Sequence, residues 1–406
     1  MPPAVGGPIY TAAMTRRPVA ALTAVLAVCA TLLMVPTGTA GARQPILGPA
    51  AKAGGWAPVT TNSLTAATDN SVIAADCAGT RCTAVGLLGD SLDSGRATVI
   101  SHRAGGQAAI ARRMRGAAVG TLPADISCPT RRWCVVVGSI HATTPSDKTW
   151  AVVGAGRSWQ QVRTPSPGNG SASQAYLTGV SCRSDSDCVA VGYYFNRSGV
   201  TRALVLRWDG DGWARVLRRQ LVGRMLTAVD CTDSGECLIA ATAGEQAEFW
   251  WLTSSTLTPI RGGGTPTNQY TDVSCVSDTW CAAAGGIVGA SPTLAIVSVS
   301  AAGRWRWVPK PVRTSRATGG FNSITCFARA ECLAGTSWLT AGGYSHPGIW
   351  EWSGGAKRTT RMVGSRGRIG QVSDIACTTS RCVASGQSYA AGGDTRLLNN
   401  TYQRRR

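Results

Sequence analysis

Fourteen of the chain's fifteen cysteines stand in seven pairs: Cys77/Cys82, Cys128/Cys134, Cys182/Cys188, Cys231/Cys237, Cys275/Cys281, Cys326/Cys332 and Cys377/Cys382. Two thiols with four or five residues between them can supply half a zinc site or close a disulfide. Zinc needs four ligands, and the chain has three histidines, none at a recurring offset from a pair. One disulfide within each pair is therefore the expected chemistry, in an oxidising compartment. The second set of reactive groups is acidic. Asp76 and Asp230 lie one residue before the first cysteine of their pair, and Asp125, Asp272 and Asp374 lie three before. Offsets of one and three share a face of a β-strand, so these carboxylates are expected on one surface.

The pairs recur with a mean step of 50 residues, the period of a repeat architecture. Around each pair the pattern is the same, as in Leu177-Thr-Gly-Val-Ser-Cys182 and Cys188-Val-Ala-Val-Gly192. An alternating run, a tight turn and a β-branched run ending in glycine read as two antiparallel strands. A third strand such as Ala203–Trp208 follows, then a Gly-Trp turn and a fourth strand from Trp213. Four short strands per repeat make a propeller blade. The expected fold is all-β: a seven-bladed β-propeller over residues 54–406. The last repeat lacks a fourth strand, and Gly54-Gly55-Trp56-Ala57-Pro58-Val59 resembles one, so this N-terminal strand is expected to complete the last blade and close the ring.

In that ring the first strands line the channel. The five aspartates then have two readings: each accepts hydrogen bonds from a neighbouring blade's backbone, or together they hold calcium or a cationic ligand. Calcium is the one cofactor entertained, and no metal ligand is assigned. The tryptophans that recur on third and fourth strands (Trp56, Trp159, Trp208, Trp213, Trp250, Trp251, Trp305, Trp307, Trp350, Trp352) are expected to fill the space between blades. Trp133 and Trp280 fall in the cysteine turns and Trp338 in a long loop.

The recurring V-S-C, C-x-A-V-G and W-x-G-x-x-W segments resemble the repeats of secreted actinobacterial propellers, a resemblance that covers residues 54–406 and implies architecture rather than activity. The turn Asp209-Gly-Asp-Gly-Trp213 is similar to the Asp-box hairpin of sialidase propellers but lacks its leading Ser or Thr, and no arginine triad or nucleophilic tyrosine can be placed.

Ahead of the repeats, Arg16 and Arg17 precede an apolar run from Val19 to Val35 and the small-residue stretch to Ala42. This reads as a signal peptide over 1–42, followed by a linker over 43–53; an uncleaved membrane anchor is the alternative. Cys29 is removed with the signal, and the net charge of +19 becomes +17.

The loops joining second to third strands present His141, Tyr193, Tyr194, Arg197, Trp338, Tyr344, His346 and Tyr389 as candidate ligand-binding residues, aromatic faces beside polar donors. The function expected is that of a secreted, monomeric binding or scaffold module for a cell-wall, carbohydrate or protein partner. One alternative is a glycoside-active enzyme. The other is a basic surface that binds polyanions, favoured by Arg112, Arg113, Arg115 and Arg404–Arg406. No catalytic residue is assigned, so the reading leans away from an enzyme. Phosphate-binding loops, dinucleotide fingerprints and sequence-specific nucleic-acid signatures are absent from the sequence.

Overall fold

A computed structural model describes residues 56–58, 60–62 and 70–403, apart from loop stretches that include 142–146, 340–344 and 390–394. The expected signal peptide and linker lie outside the described residues.

The chain is an all-β propeller. Blade one comprises Asn70–Ala78, Arg81–Leu88, Arg96–Arg103 and Ala108–Arg113; blade two comprises Thr121–Thr130, Trp133–Ile140, Lys148–Ala155 and Ser158–Val162. Blade three is Ala175–Ser184, Asp187–Phe195, Thr201–Trp208 and Trp213–Arg215; blade four is Arg224–Cys231, Cys237–Ala243, Gln246–Leu252 and Leu257–Gly262. Blade five runs through Asn268–Ser277, Trp280–Ile287, Pro292–Val299 and Trp305–Pro311; blade six through Thr318–Ala328, Glu331–Leu339, Ser345–Ser353 and Ala356–Arg361. Blade seven takes Ile369–Cys377, Arg381–Tyr389 and Thr395–Gln403 from the C-terminal end. Its fourth strand is Trp56–Pro58, antiparallel to the third, with Trp56 opposite Tyr402 and Pro58 opposite Asn400.

Each blade carries one disulfide between its first two strands. The bonds are Cys77–Cys82, Cys128–Cys134, Cys182–Cys188, Cys231–Cys237, Cys275–Cys281, Cys326–Cys332 and Cys377–Cys382, the seven pairings expected from spacing.

The middle strands are the driest part of the fold, because both of their faces meet a neighbouring blade. Val135, Val136 and Val137 are fully buried, and Ala282, Ala283 and Ala284 repeat the pattern in blade five. Aromatic rings bridge the gaps between blades: Trp251 of blade four lies 4.0 Å from Trp305 of blade five, and Trp280 lies 6.4 Å from Trp352 of blade six, measured between ring centroids. Trp280, off the repeat pattern in sequence, is thus part of the core.

Every first strand carries a β-bulge four residues before its first cysteine, as between Leu177 and Gly179 or Tyr270 and Asp272. The bulge presses the first strand's backbone onto the second, which explains a recurring glycine. A Cβ on Gly192 would lie 2.0 Å from the Tyr176 carbonyl oxygen, and one on Gly285 would lie 1.9 Å from that of Gln269.

Candidate functional site

Two places gather chemistry: the channel wall, and the rim between blades two and three. On the wall, the bulge and the strand period aim three positions of each first strand at the next blade. The first position lies four residues before the cysteine. Thr178, Thr227 and Thr271 each donate a hydroxyl, at 2.8 Å, to the carbonyl oxygen of Leu226, Tyr270 and Phe321 in the following blade. Asn322 donates its amide to the Val372 carbonyl at 2.7 Å.

The second position holds three of the expected aspartates. Each uses one carboxylate oxygen for the next N–H of its own strand and the other for the following blade. Asp125 accepts from Ile126 and Val180, and Asp272 from Val273 and Ile324, all at 2.7–2.8 Å. Asp374 accepts from Ile375 at 2.7 Å and, across the seam between blades seven and one, from Ala75 at 2.6 Å.

The third position adjoins the cysteine. Asp76 accepts from Cys77 at 2.6 Å and from Cys128 of blade two at 2.5 Å. Asp230 accepts from the Ser181 hydroxyl at 3.1 Å and from Cys275 at 2.7 Å. Ser127, Ser181 and Ser274 accept the same inter-blade bond from Cys182, Cys231 and Cys326, each at 3.0 Å.

Each of these aspartates is half-buried. Enclosure outweighs the N–H donors and lifts the carboxyls: Asp76 to about 7, Asp230 and Asp374 to about 6, with Asp125 and Asp272 also raised. Repulsion from the other aspartates adds to the rise for Asp76, Asp125 and Asp272. Among the described residues, no three His, Cys, Asp or Glu side chains converge as metal ligands. The carboxylate oxygens serve the backbone donors named above.

The rim cluster is built from both blades. Gly120, in the left-handed region at φ 79°, lets the His141 amide reach its carbonyl oxygen at 2.8 Å, which fixes the loop after the second strand of blade two. His141 Nδ1 lies 3.0 Å from Asp147 Oδ1, and the Tyr176 hydroxyl donates to Asp147 Oδ2 at 2.6 Å. The Asp147 carbonyl accepts from the Ala175 amide, so this carboxylate is anchored to both blades. Tyr176 faces Tyr193 across the strand pair, ring centroids 5.2 Å apart and tilted 36°, and Tyr193 meets Phe195 edge-on at 5.7 Å. Burial raises the hydroxyl pKa of Tyr176 and of Tyr193, and the Asp147 carboxylate raises both further. His141 is half-exposed, whereas Asp147 is buried.

This placement corrects several sequence expectations. Tyr193 and Tyr194 belong to the second strand of blade three, not to a loop, because that strand runs on past Gly192 to Phe195. Tyr194 points into the core and stacks under Arg215, which removes it as a surface ligand residue. His346 is buried in the third strand of blade six, opposite Trp338, itself in the second strand rather than in a long loop. Tyr389 ends a strand of blade seven, and Arg197 sits exposed in a turn after Phe195. Tyr344 and the side chains of Trp338 and Tyr389 lie outside the described residues. His141 and Tyr193 are therefore the two candidates that the structure brings together. Asp147, Tyr176 and Phe195 complete the cluster.

The cysteines belong to neither place as ligand-facing groups. The second member of every pair, Cys82, Cys134, Cys188, Cys237, Cys281, Cys332 and Cys382, is buried, because it lies on the middle strand that neighbouring blades cover on both faces. Cys128 is buried as well, and the other first members are half-buried. All fourteen are staples of the fold rather than residues that a ligand could touch through a free thiol.

No family model matches the chain, and no curated protein matches it. Among solved structures it is similar to YCF48 bound to a D1 peptide, at 13% identity and a TM-score of 0.54, over 86% of this chain and 97% of that one. The WD40 repeats of RRP9 match at 8% identity and a TM-score of 0.54, covering 83% and 95% of the two chains. A puromycin-hydrolyzing peptidase of Mycobacterium tuberculosis matches at 9% identity and a TM-score of 0.51, over 82% of this chain and 53% of that one. At such identities the likeness is one of fold, and what it identifies is a β-propeller.

Proposed function

We propose that the chain is an exported binding module that takes a peptide segment of an extracellular protein at the rim between blades two and three. The observation that carries this reading is the aromatic wall of Tyr176, Tyr193 and Phe195 beside the His141–Asp147 pair. Its rings are tilted and edge-on rather than coplanar, which suits side chains entering between them more than the flat face of a sugar. His141 and Arg197 add exposed polar groups at the edge, as a specific interface needs around an aromatic centre. Seven disulfides suit the oxidising space outside the cell. Two of the structural neighbours, the peptide-bound YCF48 and the WD40 repeats of RRP9, show this fold in a binding and in a repeat setting.

Display of a random peptide library against the protein, with a glycan array in parallel, tests the proposal. Selected peptides are expected to lose at least tenfold in affinity with Tyr193→Ala or His141→Ala, about 1.4 kcal/mol or more, and to survive high salt. Peptides indifferent to Tyr193→Ala, or binding to glycans alone, would overturn it. Binding that disappears with salt would favour the polyanion reading.

A further inference from the structure

The opposite face of the ring carries the cysteine turns and the turns between third and fourth strands. Its charges are sorted by blade. In blades seven, one and two these turns hold Arg381, Arg81, Arg131, Arg132 and Arg157, with no acid. In blades three, four and five they hold Asp185, Asp187, Asp209, Asp211, Asp233, Glu236 and Asp278, against Arg183 and Arg304. Blade six has one of each sign, Arg329 and Glu331. The excess is five positive charges on one side and five negative on the other. Arg131, Arg132, Arg157, Asp185, Asp209, Asp211, Asp233 and Asp278 are all exposed.

Local bonds hold each half in its sign. Arg183 is bound to Asp187 and donates to the Asp233 carbonyl at 2.7 Å, so its charge is spent within the acidic half. Asp209 is kept well ionised by the N–H groups of Gly212 and Asp211, and Asp278 by the hydroxyls of Thr232 and Ser234. On the basic half, Gln403 pairs with Arg381, and the next three residues in the sequence are Arg404, Arg405 and Arg406.

Such a face is complementary to itself. A two-fold axis lying in the face, passing through blade six and between blades two and three, places blade one over blade four of a second copy. The same rotation places blade two over blade three and blade seven over blade five. The basic turns of blades one and two then meet the acidic turns of blades four and three, the Arg381 turn of blade seven meets the Asp278 turn of blade five, and blade six, with one charge of each sign, meets itself. We infer that two copies of this chain associate face to face through their cysteine turns, an isologous dimer in place of the monomer expected from sequence. An unrelated acidic partner would be repelled by the acidic half, and an anionic surface laid flat on the face would meet both signs. A second copy satisfies both halves at once. The propeller's overall positive charge opposes the approach, but at about 0.15 M salt it is screened beyond about 8 Å, whereas turns in contact are not.

Sedimentation of the purified protein tests this. Dimers are expected at about 0.15 M salt, and monomers at roughly 1 M, where screening reaches about 3 Å. The double variant Arg131→Glu, Arg132→Glu and the double variant Asp185→Arg, Asp187→Arg should each be monomeric, with dimer affinity down at least tenfold and melting temperature unchanged. Mixed in equal amounts, they should form a heterodimer, because both blade-two-to-blade-three contacts are then again of opposite sign. Monomers at every salt, an Arg131→Glu, Arg132→Glu variant that dimerises normally, or a mixture that stays monomeric would each overturn the inference. Peptide binding at the rim lies on the other face and should survive all four substitutions, so the two proposals fail independently.

Discussion

Full reduction of the protein is expected to unfold it at temperatures where the oxidised form is stable. Each disulfide closes a loop whose cysteines are five or six positions apart. A closure of that size restricts the unfolded chain by about 2 kcal/mol. Seven of them amount to roughly 15 kcal/mol if additive, against a net stability of about 5–15 kcal/mol for a folded domain. The bonds are local to single blades, so their loss weakens every blade alike and leaves none as a nucleus. Thermal melting followed by circular dichroism, with and without a phosphine reductant, reads the effect; mass spectrometry after alkylation verifies that all fourteen thiols are free. An unchanged melting temperature in the reduced protein would show that packing alone holds the ring. Replacing one pair, Cys182→Ser with Cys188→Ser, should cost about 2 kcal/mol.

The protein should also be more stable in mild acid than at neutral pH, contrary to the usual behaviour of a fold held by carboxylates. An aspartate whose carboxyl is raised by folding binds its proton in the native state at a pH where the unfolded chain has released it. Stability then falls as pH rises, beginning near the unfolded value of 3.8 and continuing through the folded one. For Asp230 and Asp374 that window closes at about 6, and for Asp76 at about 7. Moving one carboxyl from 3.8 to about 7 corresponds to roughly 4 kcal/mol. The five together should lower the melting temperature between pH 5 and pH 8 by at least roughly 5 °C. The double variant Asp125→Asn, Asp272→Asn should flatten this slope. A melting temperature that rises steadily from pH 4 to pH 8 would show that the hydrogen bonds from neighbouring N–H groups outweigh enclosure in the channel. Asp374→Ala is the sharper structural probe, because it strips the Ala75 and Ile375 amides of their acceptor at the seam. Two orphaned buried donors should cost roughly 2–4 kcal/mol.

The architecture was legible in the sequence because its causes repeat. Strand alternation, cysteine pairs and the glycine opposite the bulge recur blade after blade, and the aspartate offsets of one and three marked a shared wall. The threonines and asparagine at the bulge carried an equally regular signal. Thr178, Thr227, Thr271 and Asn322 stand at a single offset, but a hydroxyl four residues before a cysteine suggests nothing until the neighbouring carbonyl is in place. The rim cluster was half visible. His141 and Tyr193 stand out as polar and aromatic residues after a strand, whereas Tyr176 opens a first strand and joins Asp147 across 29 positions and a blade boundary. Tyr194 was misplaced for a related reason: no turn residue interrupts Gly192 to Phe195, so the end of the strand is set by pairing with Thr201–Ala203 rather than by composition. The sorting of charge among turns is hidden in linear order, since blades seven, one and two are neighbours only once the ring closes.

The seam has a mechanical consequence. Trp56 pairs with Tyr402, and the flanking chain at both residues leaves from the same end of this antiparallel pair. Tension applied across these two exits loads the seam as a zipper, breaking its backbone hydrogen bonds one after another instead of all at once. The ring should therefore open at blade seven under a small force. The stapled blades beyond it would stay whole.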